Sequence, residues 1–178
     1  KATTLAEDLP RWAIPHGAFA DAGADLPAVI RRTFGRTAPL LLDIGFGSGA
    51  ATRALAVEHP GHDVLGIEVH RAGIALLVQR LSADGPTNIR IADIDALHVL
   101  ARLEPRSVAG IRVLFPDPWP KRRHHERRLV DAAFVARSAA LLVPGGTLHV
   151  ATDWDDYAAQ VRGLLDADPH LAPVADGR

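Results

Sequence analysis

Five short apolar runs, each closed by glycine or an acidic residue and each followed by a stretch at helical spacing, constrain the fold of this chain more than any other feature of its sequence. The first, L-L-L-D-I at 40–44, runs into glycines and then a helix predicted over 50–58 and ended by Pro60. The second, V-L-G-I-E at 64–68, leads to a helix over 71–81 that stops at Asp84-Gly85-Pro86. N-I-R-I at 88–91 precedes a helix through Leu103, residues 108–115 form the fourth strand, and 129–142 are apolar at helical spacing up to Pro144-Gly145-Gly146. T-L-H-V-A at 147–151 is the fifth strand and 154–165 the last helix. Strands alternating with helices make right-handed βαβ units and a parallel sheet. The expected fold class is therefore α/β: a doubly wound, mostly parallel sheet with helices on both faces. A length of 178 residues and an apolar share of 48% suit one such domain, 1–178, with its core at about 38–166.

In open sheets of this kind ligands bind beyond the carboxyl ends of the strands, where the strand order reverses. All five strand ends carry acidic residues: Asp43, Glu68, Asp93 with Asp95, Asp117, and Asp153. Gly45, Gly47 and Gly49 follow the first strand and open a helix, so the backbone can turn tightly and bring unpaired N–H groups close to a ligand. The spacing Gly45-x-Gly47-x-x-Ala50, with Glu68 about 20 residues on, also fits a dinucleotide fingerprint. Asp43 favours a different ligand. A carboxylate that close to the loop sits badly beside a pyrophosphate but well beside the cationic amino-acid and sulfonium end of S-adenosylmethionine. Glu68 is the candidate acceptor for ribose hydroxyls. Asp95 is the candidate partner of the adenine amino group, with Asp93 an equally placed rival and the N-cap of the next helix open to either.

The segment F-P-D-P-W-P-K-R-R-H-H-E-R-R at 115–128 says most about a partner. Pro116 and Pro118 hold Asp117 on a stiff turn, and Trp119 offers a flat face for a base to stack on. From Lys121 to Arg128 five basic residues stand against Glu126, a local charge of +4 in a chain whose formal total is −1. A neutral total hides a polarised molecule, with the basic stretch placed where phosphate contacts would position a polynucleotide. Lys121 is the only lysine after Lys1, in a chain that otherwise uses arginine; a compact point charge is wanted there rather than a guanidinium. Asp153, with Trp154 and Tyr157, reads either as part of the site or as the N-cap of the last helix. The pairs His59/His62 and His124/His125 lack carboxylate or thiolate companions at matching spacing, so no metal is expected.

Composition removes further classes. With no cysteine there is no disulfide, thiolate zinc site or cysteine nucleophile. No uncharged apolar run reaches the roughly 18 residues of a membrane span, and residues 1–12 lack a signal peptide's apolar stretch, which points to the cytoplasm. The opening Lys1-Ala2-Thr3 and the absence of Met read as a processed or truncated piece.

These residues resemble the bacterial tRNA (guanine-N7)-methyltransferases, over about 41–157. The likeness is carried by D-I-G-F-G-S-G at 43–49, G-I-E-V-H at 66–70, F-P-D-P-W-P-K-R-R-H at 115–124 and A-T-D-W at 151–154. The third motif is highly specific, whereas the first two occur in many methyltransferases. The resemblance implies a Rossmann-like S-adenosylmethionine-dependent fold, with Asp43, Glu68, Asp95 and Asp117 binding that cofactor or lining its pocket along with Gly45, Gly47 and Gly49. Lys121 and Asp153 would contact the tRNA guanosine; Arg122 and Arg123, in the basic stretch, are further substrate-binding candidates. The implied reaction is methylation of N7 of guanine 46 in the variable loop, by a monomer or homodimer. The family usually has Glu where this chain has Asp43. Its basic R-x-G-R segment before the fold and its late T-K-F-E-like segment are absent, and too little follows the last helix for the final antiparallel strand pair.

The chemistry suits the residues. Guanine N7 has a free lone pair, so no strong base is needed, and rate comes from in-line alignment. The positive charge gained by the purine would be stabilised by a fixed carboxylate, Asp117 or Asp153. N7 lies deep in an A-form helix, so the target is an exposed nucleotide. The alternatives are a methyltransferase acting on another RNA, a small molecule or a protein, a NAD-linked oxidoreductase, and an RNA-binding protein without catalysis.

Overall fold

The computed structural model describes residues 5–174 except positions 22 and 24. Its centre is a five-stranded sheet in the order β3-β2-β1-β4-β5, every neighbouring pair parallel. The strands are β1 (Leu40–Ile44), β2 (Asp63–Glu68), β3 (Ile89–Asp93), β4 (Val108–Leu114) and β5 (Leu142–Ala151). The order reverses between β1 and β4, which puts the switch point beyond Ile44 and Leu114.

Because side chains alternate across a strand, β1 to β3 feed two cores, while β4 and β5 give their buried apolar residues to one of them alone. Leu42, Ile44, Leu65, Ile67, Ile111 and Val113 join one buried cluster with α3 (Leu26–Phe34), α6 (Ala96–Arg102), α7 (Ala132–Leu141) and α8 (Asp155–Ala167). Val64, Ile89 and Ile91 join the other, with α1 (Leu5–Trp12), α4 (Ala50–Glu58) and α5 (Arg71–Asp84). The sheet is thus covered on both faces over β1 to β3, as the continuous apolar reading of β1 and β2 requires, whereas β5 leaves Thr147 and His149 exposed on the second face.

The region before β1, where sequence reasoning places no element, holds α1, the short α2 (Gly17–Ala20) and α3. Only α2 is too short for a helical period: α1 packs Leu5, Leu9 and Trp12 at helical spacing despite Pro10, and α3 is bracketed by its cap Asp25 and by Gly35. The segment is docked rather than loose: Ile14 donates its N–H to Ile91 O at 2.9 Å, which covers the free edge of β3. Arg102 holds the carbonyls of Ala18 and Phe19 at 2.6 and 2.8 Å.

Two elements start three or more residues from where they are expected. Helix α7 begins at Ala132, because Asp131 accepts the N–H of Phe134 at 2.7 Å and caps it there. Strand β5 begins at Leu142, its register shifting across Pro144-Gly145-Gly146. Proline is tolerated because β5 is an edge, and Gly145 turns at φ +81°. Among the described residues no strand follows α8.

Candidate cofactor and substrate site

A cavity of about 330 Å³ lies at the switch point, walled by the ends of β1 to β4 and the segments that follow them. Its lining pairs apolar Ile44, Ile67, Val69, Ile94 and Leu129 with the carboxylates Glu68, Asp95 and Asp117. An apolar body with a few convergent polar groups is the usual make-up of a small-molecule site.

The glycine loop shapes one wall. Gly45, Gly47 and Gly49 have φ of +68°, +54° and +72°, a region that side chains with a Cβ adopt at a cost. A Cβ on Gly45 or Gly47 would meet nothing within 4 Å, so the loop leaves open space where a ligand can approach. At Gly49 a Cβ would run into Leu77 of α5 at 2.6 Å, so that glycine is also needed for α4 to pack against α5.

Glu68 is nearly buried at the end of β2 and accepts three backbone N–H groups: Gly47 at 2.9 Å, Val69 at 2.8 Å and His70 at 2.9 Å. It therefore holds the glycine loop and the start of α5 in one geometry, with lone-pair capacity left toward the cavity. Asp95 accepts the N–H of Leu97 at 2.7 Å, capping α6, and lines the cavity as well. Its rival Asp93 pairs in register with Glu68 at the end of β3 and does not line the cavity.

Asp43 is placed differently from the other carboxylates. It is buried in β1 and absent from the lining, and both its oxygens accept from Arg112 of β4, Nε at 2.9 Å and Nη2 at 2.8 Å. A cationic ligand group reaching Asp43 would share it with this guanidinium. Sequence reasoning missed Arg112, although a charge in the middle of each of two apolar strands was a readable sign of a pair.

The turn after β4 carries Asp117, exposed and facing the cavity. Phe115 and Trp119, which bracket it, have φ of +51° and +46°. The left-handed region costs an L residue about 1–2 kcal/mol, so neighbours must hold this turn. Phe115 donates its N–H to Ala151 O of β5 at 2.8 Å. Trp119 lies under the guanidinium of Arg127 at 5.1 Å and edge-on to His124 at 5.9 Å. One face of the ring expected to stack a base is thus already covered by Arg127.

Lys121, Arg122 and Arg123 are exposed at the start of a 3₁₀ helix, Arg122–Arg127, beside the cavity rather than in its lining. The basic run divides in two. Lys121, Arg122 and Arg123 face solvent, whereas Arg127 lies over Trp119 and lines the cavity and Arg128 is buried and paired with Asp156, so the charge available to a partner is smaller than the sequence count. Asp153 is exposed just beyond β5; Trp154, not Asp153, is the N-cap of α8. Among the described residues no group of three or more His, Cys, Asp or Glu could hold a metal ion.

A family model described as "Putative methyltransferase" matches residues 37–176. The chain is 44% identical over 174 residues to the tRNA (guanine-N(7)-)-methyltransferase of Bordetella parapertussis, covering 97% of this chain and 66% of that protein. It is 44% identical over 170 residues to the protein of the same name from Nitrosospira multiformis, covering 95% and 71%. In structure it resembles a precorrin-6y C5,15-methyltransferase from Geobacter metallireducens GS-15, with TM-score 0.58, 13% identity and coverage of 89% of this chain and 76% of that one. The fold is that of the Rossmann-like S-adenosylmethionine methyltransferases. Within that class, the chain belongs to the tRNA (guanine-N7)-methyltransferase family and spans about two thirds of the length of the curated relatives it matches.

Proposed function

We propose that this chain carries out S-adenosylmethionine-dependent methylation of guanine N7 in tRNA, at position 46 of the variable loop, in the cytoplasm. The observation that carries the reading is the junction at β4. There the stiff Asp117 turn closes a carboxylate-lined cavity on one side and opens onto exposed Lys121, Arg122 and Arg123 on the other. Cofactor and polyanion would meet across a single turn.

The residues fit the cofactor: the space over Gly45 and Gly47 is open, the lining is apolar, and three carboxylates face a ligand that bears positive charge. Glu68 would take the ribose hydroxyls, Asp95 the adenine amino group, and Asp43, shared with Arg112, the amino-acid end. The bound cofactor supplies an electrophilic methyl group. Lys121, Arg122 and Arg123 position the RNA backbone, and Asp117, aided by Asp153 across the β4–β5 edge, orients the guanine and stabilises the charge its ring acquires. No side chain need remove a proton from N7.

The test is mass spectrometry of nucleosides from unmodified tRNA incubated with the protein and S-adenosylmethionine, followed by mapping of the modified position. 7-Methylguanosine at position 46 is expected. Binding of S-adenosylhomocysteine without 7-methylguanosine in any tRNA would overturn the substrate assignment, and binding of NAD in its place would overturn the cofactor.

A further inference from the structure

Arg128 ends the basic run, yet its side chain is 1% exposed. Nε donates to Pro118 O at 2.8 Å, Nη1 to Gln160 Oε1 at 2.6 Å, and Nη2 to Asp156 Oδ2 at 2.8 Å and Oδ1 at 3.1 Å. The guanidinium also lies over the Tyr157 ring at 4.7 Å, and the Tyr157 hydroxyl accepts the N–H of Val130 at 3.0 Å. The Arg128 hydrogen bonds hold the Asp156 carboxyl below the usual range, and His125 Nε2 stands 3.6 Å from the same carboxylate.

The partners belong to two different segments. Pro118 sits in the turn that presents Asp117, while Asp156, Tyr157 and Gln160 sit in α8, which starts directly after Asp153 and Trp154. We propose that Arg128 is a positioning residue: it staples the Asp117 turn to the first turns of α8 and so sets Asp117 against Asp153, instead of contacting RNA phosphate. The need for a staple follows from the left-handed Phe115 and Trp119 on either side of Asp117, a conformation the turn would leave if unsupported. A planar fork reaching a carbonyl, an amide and a carboxylate at once is work for arginine that lysine cannot do. That the stapled edge is where methyl transfer occurs rests on the proposed function; the staple itself does not.

The three tryptophans supply the test, since Trp119 and Trp154 lie in the two stapled turns and Trp12 lies on α1, away from both. Indole N–H NMR signals, methyl-transfer kinetics and the salt dependence of tRNA binding are compared for Arg128→Lys, Asp156→Asn and Arg123→Ala. Asp156→Asn, a change at a half-exposed side chain, covers the case in which Arg128→Lys fails to fold. For the first two the Trp119 and Trp154 signals shift while Trp12 stays. Their kcat falls by about 10- to 100-fold, as a small misplacement of reacting groups allows, with the salt slope of binding unchanged. Arg123→Ala instead lowers that slope by about one. An Arg128→Lys protein with a reduced slope and normal kcat would make Arg128 a phosphate contact, and unmoved indole signals or unchanged kcat would likewise overturn the positioning role. If the unsubstituted protein methylates no tRNA, the functional reading falls while the indole signals still decide the staple.

Discussion

Replacing Arg112 with leucine tests the least expected feature of the site, a buried carboxylate held by a neighbouring strand. The Asp43 side chain is 3% exposed and the Arg112 side chain 17%. Without the guanidinium, the buried Asp43 carboxylate loses both hydrogen bonds that Arg112 donates. Removing one member of a buried pair typically costs about 3–5 kcal/mol. Because Arg112 retains some solvent, the lower figure applies, and at about 3 °C per kcal/mol for a chain of this length Tm falls by about 9 °C. Asp43→Leu combined with Arg112→Leu removes both charges, so most of the loss returns, to within about 1 kcal/mol of the starting protein. Thermal and urea denaturation of the four proteins in a double-mutant cycle measure the coupling directly. If Arg112→Leu alone lowers Tm by less than about 2 °C, the carboxylate is not trapped and the reasoning fails. Calorimetry of S-adenosylhomocysteine on Asp43→Asn then isolates the cofactor role, since the amide keeps the shape and loses the charge.

Gly49→Ala places a Cβ at φ +72° and 2.6 Å from Leu77, so stability drops by about 3 kcal/mol; a urea midpoint shift worth under about 1 kcal/mol would show that α4 and α5 can separate to admit it. Asp95→Asn keeps the helix cap, so stability stays constant while affinity for S-adenosylhomocysteine falls about tenfold through loss of a charged hydrogen bond; an unchanged Kd would remove Asp95 from the adenine assignment. Asp117→Ala abolishes methyl transfer with Tm unchanged, because the side chain is exposed, and full activity would make the turn purely structural. The Asp156 carboxyl is held low first by its hydrogen bond to Arg128, so the folded state prefers it ionised. Its contribution is present above the ordinary aspartate pKa, near 4, and is lost as pH falls through the lower folded value. Asp156→Asn should therefore flatten the acid limb of the stability profile, as followed by circular dichroism between pH 5 and 2.

Five strands and the helices between them were legible because each carries its own period and its own stop signal. The helices α4 and α5 start where the glycines and His70 place them, and Asp95 caps α6 from a position already marked as a strand end. Of the helices before β1, only the four-residue α2 lacks a helical repeat; α1 sets Leu5, Leu9 and Trp12 on one face, and α3 opens on Asp25 and Pro27 and closes at Gly35, signals that sequence reasoning missed. The site divides along the same line. Glycines, prolines and the capping carboxylate Asp95 act locally and read locally. Whether a charged side chain faces solvent or another side chain depends on a partner elsewhere in the chain, 69 residues away for Asp43 and Arg112 and 28 for Arg128 and Asp156.

That division changes how the basic run is to be understood. Counted along the chain, 121–128 is a uniform patch, and every arginine in it is an equivalent phosphate contact. In the fold the run winds as a 3₁₀ helix with its first residues outward and its end turned under the Asp117 turn, so one continuous stretch has two tasks. Under the proposed function, Arg122 and Arg123 would act at the length scale of the RNA backbone, where a displaced charge weakens binding and little else. Arg127 on Trp119 and Arg128 on Pro118 would act at the scale of the reacting groups, where a shift of about 1 Å is felt in rate. Substitutions along the run should therefore pass from effects on KM and salt dependence at Arg122 to effects on kcat at Arg128. A single gradient of that kind, measured across residues that look alike in sequence, is what a patch of interchangeable phosphate contacts would not produce.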